Sequence, residues 1–364
     1  MPEECMRMTA GSRGGSPRVH SAMLCVLTFL ATLAAAHAQP VEDFYRGRSI
    51  DLLIGAATGG GYDVAGNAVA MHIGRHIPGQ PSVIVRNMPA ASSLVMTNHL
   101  YNAAKRDGTV IGMPNNNIPI EPRLRLLSPD GDNIRFDVTQ LAWIGTPLQE
   151  PQVLFVWHTA PVRAVADLKT TKVLVGAVTV AADNYTMQML LNRTYGSIMG
   201  FVTGYPGQSD IFVAMERGEV QANSTGLSNL TVNRPQLLAD GKVRILLQYG
   251  SARLPQLHEV PTAIEPMTRD ADREMWRIYT LKFAFARPLA VPPDVPAERV
   301  AALRAAFDAT MVDPRYIADV RRLGLDVNPL DGETVTRLIG EIQATPEPVI
   351  TRLRELLTQP ASRK

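Results

Sequence analysis

The chain has 364 residues, of which 46% are hydrophobic and 19% are charged, and its formal net charge is +2. A chain of this length can bury a large hydrophobic core without help from disulfides or metal ions. The small net charge and the absence of clustered basic residues argue against a nucleic acid as the partner.

The first 38 residues have the pattern of a secretory signal peptide. An apolar run over Ala22–Ala36 follows a basic region and ends in Ala36-His37-Ala38, a small-residue cleavage signature. The run is shorter than the roughly 20 apolar residues that a membrane span requires. We therefore predict cleavage after Ala38 and export of the mature chain. Both cysteines, Cys5 and Cys25, lie in this leader, so we expect no disulfide and no Cys-ligated metal.

A glycine-rich loop between a strand and a helix is the most informative feature of the mature chain. The predicted strand Ile50–Ile54 leads into Gly59-Gly60-Gly61, and a helical pattern runs over Val64–Ile77. Glycines let a ligand approach the main chain, and the unpaired N–H groups at a helix start attract anions. No lysine follows the glycines as a P-loop requires, and Val64 occupies the place of the third glycine of a dinucleotide fingerprint. The loop therefore predicts a carboxylate site, which either holds the anion or transforms it.

Beyond this loop, strands and helices alternate along the chain, a pattern typical of parallel-sheet α/β domains. The predicted strands are Ser82–Arg86, Thr109–Met113, Ala142–Gly145, Val153–Trp157, Lys172–Val175, Ile198–Val202, Gln221–Asn223 and Val243–Gln248. The predicted helices are Ser92–Ala104, Val165–Leu168, Asn184–Asn192, Asp210–Arg217, Glu298–Met311, Pro314–Leu323, Thr334–Gln343 and Pro346–Leu357. The segment Tyr279–Ala286 is predicted to be extended.

Two sets of strands and helices, joined by extended segments near Trp143–Pro151 and Tyr279–Pro288, predict a bilobed protein with a cleft. Extended crossings of this kind can act as hinges for closure around a ligand. After the signal peptide (residues 1–38), we predict a first lobe from residues 39–145 and 286–364 and a second lobe from residues 146–285. One large α/β domain is the alternative.

Four residues near the glycine loop have a structural as well as a functional interpretation. Asp63 either caps the helix or also binds a ligand hydroxyl, and Tyr62 either walls the pocket or lies on the surface. His72 and His76 are four residues apart on one helix face, a spacing that can bind a metal. Because no acidic third ligand is nearby in the sequence, we expect no metal there.

Six segments of the mature chain occur in an order that is diagnostic as a set: Tyr45–Ile50, Gly59–Asp63, Pro81–Pro89, Tyr101–Ala104, Asp107–Gly112 and Leu257–Thr262. Together they resemble the extracytoplasmic solute-binding receptors of the tripartite tricarboxylate transporter family, also called the Bug or TctC type. The resemblance implies a periplasmic, bilobed periplasmic-binding-protein fold of the α/β class (type II-like), with two extended hinge crossings. It also implies a small carboxylate in the cleft and no cofactor.

The resemblance further implies which loops contact the ligand. In the family, the first lobe uses the motifs P-G-G-x-x-D and R-P-G-A-G, which correspond here to Thr58–Asp63 and Met88–Ser93. The second motif lacks both glycines here, so a positive φ in it is costly. In the second lobe, the loop Val180–Asn184 is more acidic and poorer in glycine than the family's usual pattern, and the loop Tyr205–Asp210 is similar to the family's Y-x-G-x-x-x segment. Ser224-Thr225 follow a strand where relatives often carry an acidic residue or a glycine. The predicted ligand-binding residues are Thr58, Gly59, Gly60, Gly61, Tyr62, Asp63, Pro89, Ala90, Ala91, Ser92, Ala182, Asp183, Asn184, Tyr205, Gly207 and Gln208.

We therefore predict a monomeric receptor that captures a small organic anion by lobe closure and delivers it to the membrane permease subunits of a tripartite transporter. No catalytic residue is predicted, because no G-x-S-x-G elbow is present. Two alternatives come from other classes of protein. One is a secreted hydrolase of acyl or phosphoryl substrates, and the other is a sensory protein that presents its ligand to a membrane kinase.

Overall fold

A computed structural model describes residues 41–180 and 182–358 of the chain. The predicted signal peptide and its cleavage site lie outside these residues. Within the described residues, the strands form two mixed sheets, and each sheet belongs to one of two α/β lobes. The α/β class and the bilobed architecture predicted from the sequence are confirmed.

The strands are, in chain order, β1 (Ser49–Ile54), β2 (Ser82–Asn87), β3 (Val110–Met113), β4 (Ala142–Thr146), β5 (Gln152–Trp157), β6 (Leu174–Ala177), β7 (Gly200–Thr203), β8 (Ala222–Gly226), β9 (Val243–Tyr249), β10 (Leu289–Val291) and β11 (Leu330–Asp331). The first sheet has the order β11-β4-β10-β3-β1-β2, and the second has the order β7-β6-β8-β5-β9. The chain therefore leaves the first sheet after β4 and returns to it at β10.

The helices are, in chain order, α1 (Val41–Tyr45), α2 (Gly61–Ile73), α3 (Leu94–Asn102), α4 (Glu121–Leu124), α5 (Asp183–Thr194), α6 (Gln208–Glu216), α7 (Ser228–Thr231), α8 (Pro235–Ala239), α9 (Asp270–Thr280), α10 (Ala297–Met311), α11 (Pro314–Arg322), α12 (Gly332–Gln343) and α13 (Glu347–Thr358). Short 3-10 turns lie at Gly74–His76, Ala91–Ser93, Val165–Lys169, Pro255–Leu257 and Leu281–Phe283. None of the helices in the described residues is both long and apolar enough to cross a membrane.

Parallel pairing places several loops of each lobe at one sheet edge. In the first sheet, β1 is parallel to β2 and β3, and Ile54 is the register partner of both Asn87 and Met113. In the second sheet, β6 is parallel to β7 and β8. The loops that follow β1, β2 and β3 therefore lie together at one carboxyl edge, and those after β6, β7 and β8 lie together at another. In open α/β sheets, ligands bind outside this edge.

Most predicted elements are present within a few residues of their predicted bounds, including all four helices of the C-terminal tail. The main error is the segment Tyr279–Ala286, which was predicted to be extended. Its first two residues end α9, and Leu281–Phe283 form a 3-10 turn. The alternation of large and small residues after Thr280 suggests a strand, but the buried Met275, Trp276, Ile278 and Tyr279 follow a helical period. Because these side chains pack in the core, α9 extends into the predicted crossing that starts at Tyr279.

The C-terminal helix α13 contacts elements from both predicted lobes. Its Arg352 guanidinium donates to the buried Asp272 carboxylate in α9, with Nη2–Oδ1 at 2.7 Å. Two residues further on, Arg354 donates to the carbonyl oxygens of Arg123 and Leu124 in α4, at 2.6 and 3.1 Å. The tail is therefore shared between the lobes, and the lobe boundaries given above stay a prediction.

His72 joins α2 to α11, and His76, in the 3-10 turn after α2, contacts Asp313, which caps α11. The Nε2 atom of His72 lies 2.7 Å from Asp319 Oδ2, and the Nε2 atom of His76 lies 3.0 Å from Asp313 Oδ2. The His72 ring is buried and packs edge-on against Tyr316. Within the described residues, no group of three or more His, Cys, Asp or Glu side chains is placed to hold a metal ion. The observed role of His72 and His76 is therefore to make tertiary contacts with Asp319 and Asp313.

We expect the substitution His72→Ala to lower the free energy of unfolding by about 1–3 kcal/mol, because it removes a buried hydrogen bond and leaves Asp319 without this partner. Urea denaturation followed by circular dichroism measures this change. His99→Ala is the control, since His99 is exposed. Ligand affinity should stay unchanged in the His72 variant, and a metal-dependent loss of affinity would contradict the structural role.

Candidate ligand-binding site

The glycine loop after β1 presents main-chain N–H groups that have no acceptor. Gly60 precedes α2 in an extended conformation, with φ −84° and ψ 169°, and its carbonyl accepts the first helical bond from Val64 at 2.9 Å. The N–H groups of Gly61, Tyr62 and Asp63 find no acceptor within the described residues. These groups and the positive end of the helix dipole together form an arrangement that attracts an anion.

Asp63 fixes the shape of this loop. It is the third residue of α2, so the prediction that it occupies the capping position before the helix was wrong, and Gly60 is there instead. Its Oδ2 accepts from the Gly59 N–H at 2.8 Å, and its Oδ1 accepts from Asn87 and Asn67 at 2.8 and 3.0 Å. The bond from Gly59, followed by those from the two amides, holds the pKa of Asp63 below its usual value. Asp63 is thus an ionised anchor for the loop.

The loop after β2 is strained at residues that carry a Cβ. Ala91, Ser92 and Ser93 all have positive φ, at 44°, 50° and 77°, whereas Ala90 is extended with φ 178°. The Ser93 hydroxyl donates to the Gly55 carbonyl at 2.7 Å and accepts from the Asn115 N–H at 3.0 Å. Left-handed conformations cost energy for non-glycine residues, and such strain persists only where the surroundings fix it. Ser93 therefore ties the strained second loop to the loops after β1 and β3.

Tyr62 and Arg287 lie against each other beside the start of α2. The Arg287 guanidinium carbon is 4.1 Å from the centroid of the Tyr62 ring, and the Tyr62 hydroxyl accepts from the Asn116 N–H at 2.9 Å. Burial raises the pKa of Tyr62, so its phenol stays neutral. A Cβ at Gly61 would lie 3.1 Å from Arg287 Nη2. A cationic group therefore lies next to the unpaired N–H groups, and its acidic partner Glu150 is 3.5 Å away.

A buried lysine links the first lobe to α5 of the second. Lys282 is 1% exposed, and its Nζ lies 2.6 Å from Asp183 Oδ1 and 3.1 Å from Asn117 Oδ1. Burial alone would lower the pKa of Lys282, but the Asp183 carboxylate and the nearby Tyr279 raise it, and the net shift is upward. The ammonium group is therefore charged. Because Asn117 follows β3 and Asp183 begins α5, this contact connects the two carboxyl edges.

The remaining predicted residues of the second lobe lie around β8. Ala182 precedes α5 and Gly207 precedes α6. The Gln208 side chain accepts from Asn223 Nδ2 at 2.8 Å and donates to the Ser224 carbonyl at 3.2 Å, while Tyr205 packs against the core of the second sheet. This loop is thus held to the end of β8.

The structure brings together most of the predicted residues and adds five that sequence reasoning missed. The three loops of the first lobe contact one another, and Asp183 joins them through Lys282. The missed residues are Asn116, Asn117, Glu150, Lys282 and Arg287. A usable signal existed for Lys282, because a lone lysine in the apolar run Tyr279–Ala286 is buried only when it is paired. The other four residues are brought to the site by tertiary contacts, which no local sequence pattern predicts.

Two α/β lobes, between whose sheets the chain crosses twice, are the architecture of the periplasmic-binding-protein fold. The model of the tripartite tricarboxylate transporter family receptor (TctC) matches residues 68–354, which is most of the chain. The protein belongs to this family. The matched range begins after the glycine loop, so the assignment of that loop to the site rests on its geometry. The family consists of solute-binding receptors without enzymatic activity, and this protein is therefore a receptor and not a hydrolase.

Solved structures agree with this fold. A TctC solute-binding protein from Polaromonas superposes with a TM-score of 0.65 at 20% sequence identity, covering 85% of this chain and 99% of that protein. A Rhodopseudomonas palustris protein solved with adipate gives a TM-score of 0.57 at 18% identity, with 84% and 97% of the two chains covered. MatC from the same species, solved with malate, gives 0.54 at 17% identity, with 85% and 99% covered. None of the curated proteins matches the sequence.

We expect Ser92→Gly to raise the free energy of unfolding by about 0.5–1 kcal/mol, because glycine relieves the left-handed strain at a modest entropic cost. Ala90→Gly is the matched control. Ala90 is extended, so glycine there should only add entropy to the unfolded chain and lower stability. Urea denaturation of both variants measures the difference. Equal losses in the two would show that the loop is not strained at Ser92.

We expect Asp183→Ala to lower the free energy of unfolding by about 3–5 kcal/mol, because it leaves the buried Lys282 ammonium without its carboxylate. The double variant Asp183→Ala, Lys282→Met should recover much of this loss, since the buried charge is then absent. Asp210→Ala is the control, because Asp210 is an exposed residue in the first turn of α6. A double variant as unstable as the single one would argue against the charge as the cause.

Proposed function

We propose that this receptor binds a small organic anion, a carboxylate, in the cleft between its lobes and delivers it to the membrane permease subunits of a tripartite transporter. The proposal includes export of the chain to the periplasm after removal of the predicted signal peptide. It also includes the predicted ligand-binding residues of both lobes.

The observation that carries the proposal is the set of three consecutive N–H groups, from Gly61 to Asp63, without acceptors at the start of a 13-residue helix. The first N–H groups of an α-helix have no partner within the helix, and here they lie at the edge where α/β proteins bind ligands, so they are free to bind a ligand that accepts hydrogen bonds. A carboxylate has two oxygens that suit this role, and the Arg287 side chain adds positive charge beside them.

The relatives support the same chemical class. Two structures that share the fold contain adipate and malate, both of which are carboxylates. Lobe closure follows from the position of the site, because a ligand that contacts both edges favours the closed state by its differential affinity. The Lys282 contact between Asn117 and Asp183 already brings the two edges together in this conformation.

We expect Gly60→Val to abolish the thermal stabilisation by a carboxylate ligand while leaving the unliganded protein folded. The Gly60 backbone is in a region that valine adopts easily, and the nearest atom to an added Cβ is the Ala57 carbonyl oxygen at 3.7 Å. The fold therefore tolerates the side chain, which would cover the approach to the N–H groups.

The measurement is a thermal-shift screen of mono- and dicarboxylates, since a ligand at about 100 times its Kd stabilises the native state by about 2.7 kcal/mol. Gly340→Val serves as the control, because a Cβ at Gly340 in α12 meets no atom within 4 Å. Ligands that stabilise the wild type and Gly340→Val but not Gly60→Val would support the proposal. Full binding by Gly60→Val would remove the glycine loop from the site.

A further inference from the structure

Two buried polar side chains of the second lobe have no hydrogen-bond partner within the described residues. They are Asn184, whose amide nitrogen and oxygen are both unpaired, and Ser224, whose hydroxyl is unpaired. Asn184 is 5% exposed and Ser224 is 0% exposed. An unpaired buried polar atom is costly to keep, so three of them in one region indicate that something else completes their hydrogen bonds.

Both side chains lie between α5 and the sheet of the second lobe. Asn184 is in the first turn of α5, directly after Asp183. Ser224 is two residues after Ala222 on β8, so the two side chains point to the same face, and Ala222 packs in one cluster with Met187 and Leu190 of α5. Ser224 is therefore on the sheet face that α5 covers. The register of β8 against β6 places it at the carboxyl edge.

Gln188, four residues further along α5, has a side-chain amide whose atoms are both paired. Gln188 donates to the Asn184 carbonyl at 3.2 Å and accepts from the Tyr249 hydroxyl at 3.0 Å, so both of its amide atoms are paired. On α5, the unpaired amide is therefore that of Asn184 in the first turn, whereas the amide of Gln188 one turn further is paired.

These groups need a partner that both donates and accepts. Asn184 Oδ1 requires a donor and Nδ2 requires an acceptor, and exchanging the two atoms by an amide flip leaves this need the same. A carboxylate only accepts, so it would leave one Asn184 atom unpaired next to the charged Asp183. An ammonium group donates but would lie near the charged Lys282, which is paired with Asp183. A neutral amide or hydroxyl avoids both problems.

We infer that Asn184 and Ser224 form a subsite that selects a ligand with a neutral donor–acceptor group, such as a primary amide or a hydroxyl, at the end opposite its carboxylate. This inference rests on the proposed function, since the glycine loop would hold the carboxylate. The ligand class is then an amide- or hydroxyl-bearing acid and not a plain dicarboxylate.

The test uses three series of probes of four, five and six carbons: monocarboxylates, dicarboxylates, and the monoamides of those dicarboxylates. Calorimetric titration of the purified receptor gives the Kd of each. We expect the monoamide of the best length to bind at least about tenfold more tightly than the dicarboxylate and the monocarboxylate of that length, because only it pairs both kinds of atom. The substitutions Asn184→Leu and Ser224→Ala should each reduce this preference to below about threefold.

The variants also separate ligand recognition from a structural role. Asn184→Leu replaces unpaired buried groups by an apolar side chain of similar size, so the melting temperature of the unliganded protein should stay the same or rise. The matched control, Gln188→Leu, should lower the melting temperature, because Tyr249 loses its partner, and it should keep the monoamide preference.

The outcomes distinguish the inference from the proposed function. If dicarboxylates or monocarboxylates bind as tightly as the monoamides, the inference is wrong and carboxylate binding stands. If Asn184→Leu lowers the melting temperature and keeps the monoamide preference, Asn184 is a structural group, completed by buried water, and the inference is overturned. If no probe binds to the wild type, the proposed function itself is contradicted.

Discussion

The buried Lys282, which pairs with Asp183 and donates to Asn117, is the group on which the contact between the two lobes depends. A charged amine that is removed from water requires a carboxylate and further acceptors close by, and here these come from both sides of the cleft. The crossing segment that carries Lys282 is thereby fixed against the loop after β3 and the start of α5. The same segment continues to Arg287, which lies on Tyr62 at the anion-attracting helix start. One short stretch of chain thus positions residues at both ends of the cleft.

Local sequence patterns were sufficient to predict the first half of the site. The strand before the glycines, the helix after them and the parallel order of β1, β2 and β3 depend on periodicity and turn chemistry that are visible within about 60 residues, and the structure contains all of them. The strained second loop was also foreseeable at Ser92, because its two family glycines are replaced. Ala90 escapes the strain by adopting an extended backbone. The three residues of this loop that have positive φ are Ala91, Ser92 and Ser93.

The rest of the site could not be predicted because it is built by contacts between distant residues. Glu150 and Arg287 are in different crossings, and Asn116 and Tyr62 are 54 residues apart in the sequence. The family motif at Leu257–Thr262 was visible in the sequence but has a structural role. It helped to identify the family, yet its carbonyl groups at Leu257 and Val260 accept from the Gln248 side chain and hold a loop in place. A motif can thus identify a family through its architecture and not through its ligand.

The last helix of the structure has a mechanical consequence. Arg352 donates a hydrogen bond to Asp272 of α9, and Arg354 donates to main-chain carbonyls of α4. The helix α13 therefore bridges elements that a hinge would separate. A rotation of one lobe that keeps both sets of hydrogen bonds must leave α9 and α4 in place relative to α13. The C-terminal helix therefore couples the two predicted lobes, and any movement between them has to keep or break these hydrogen bonds.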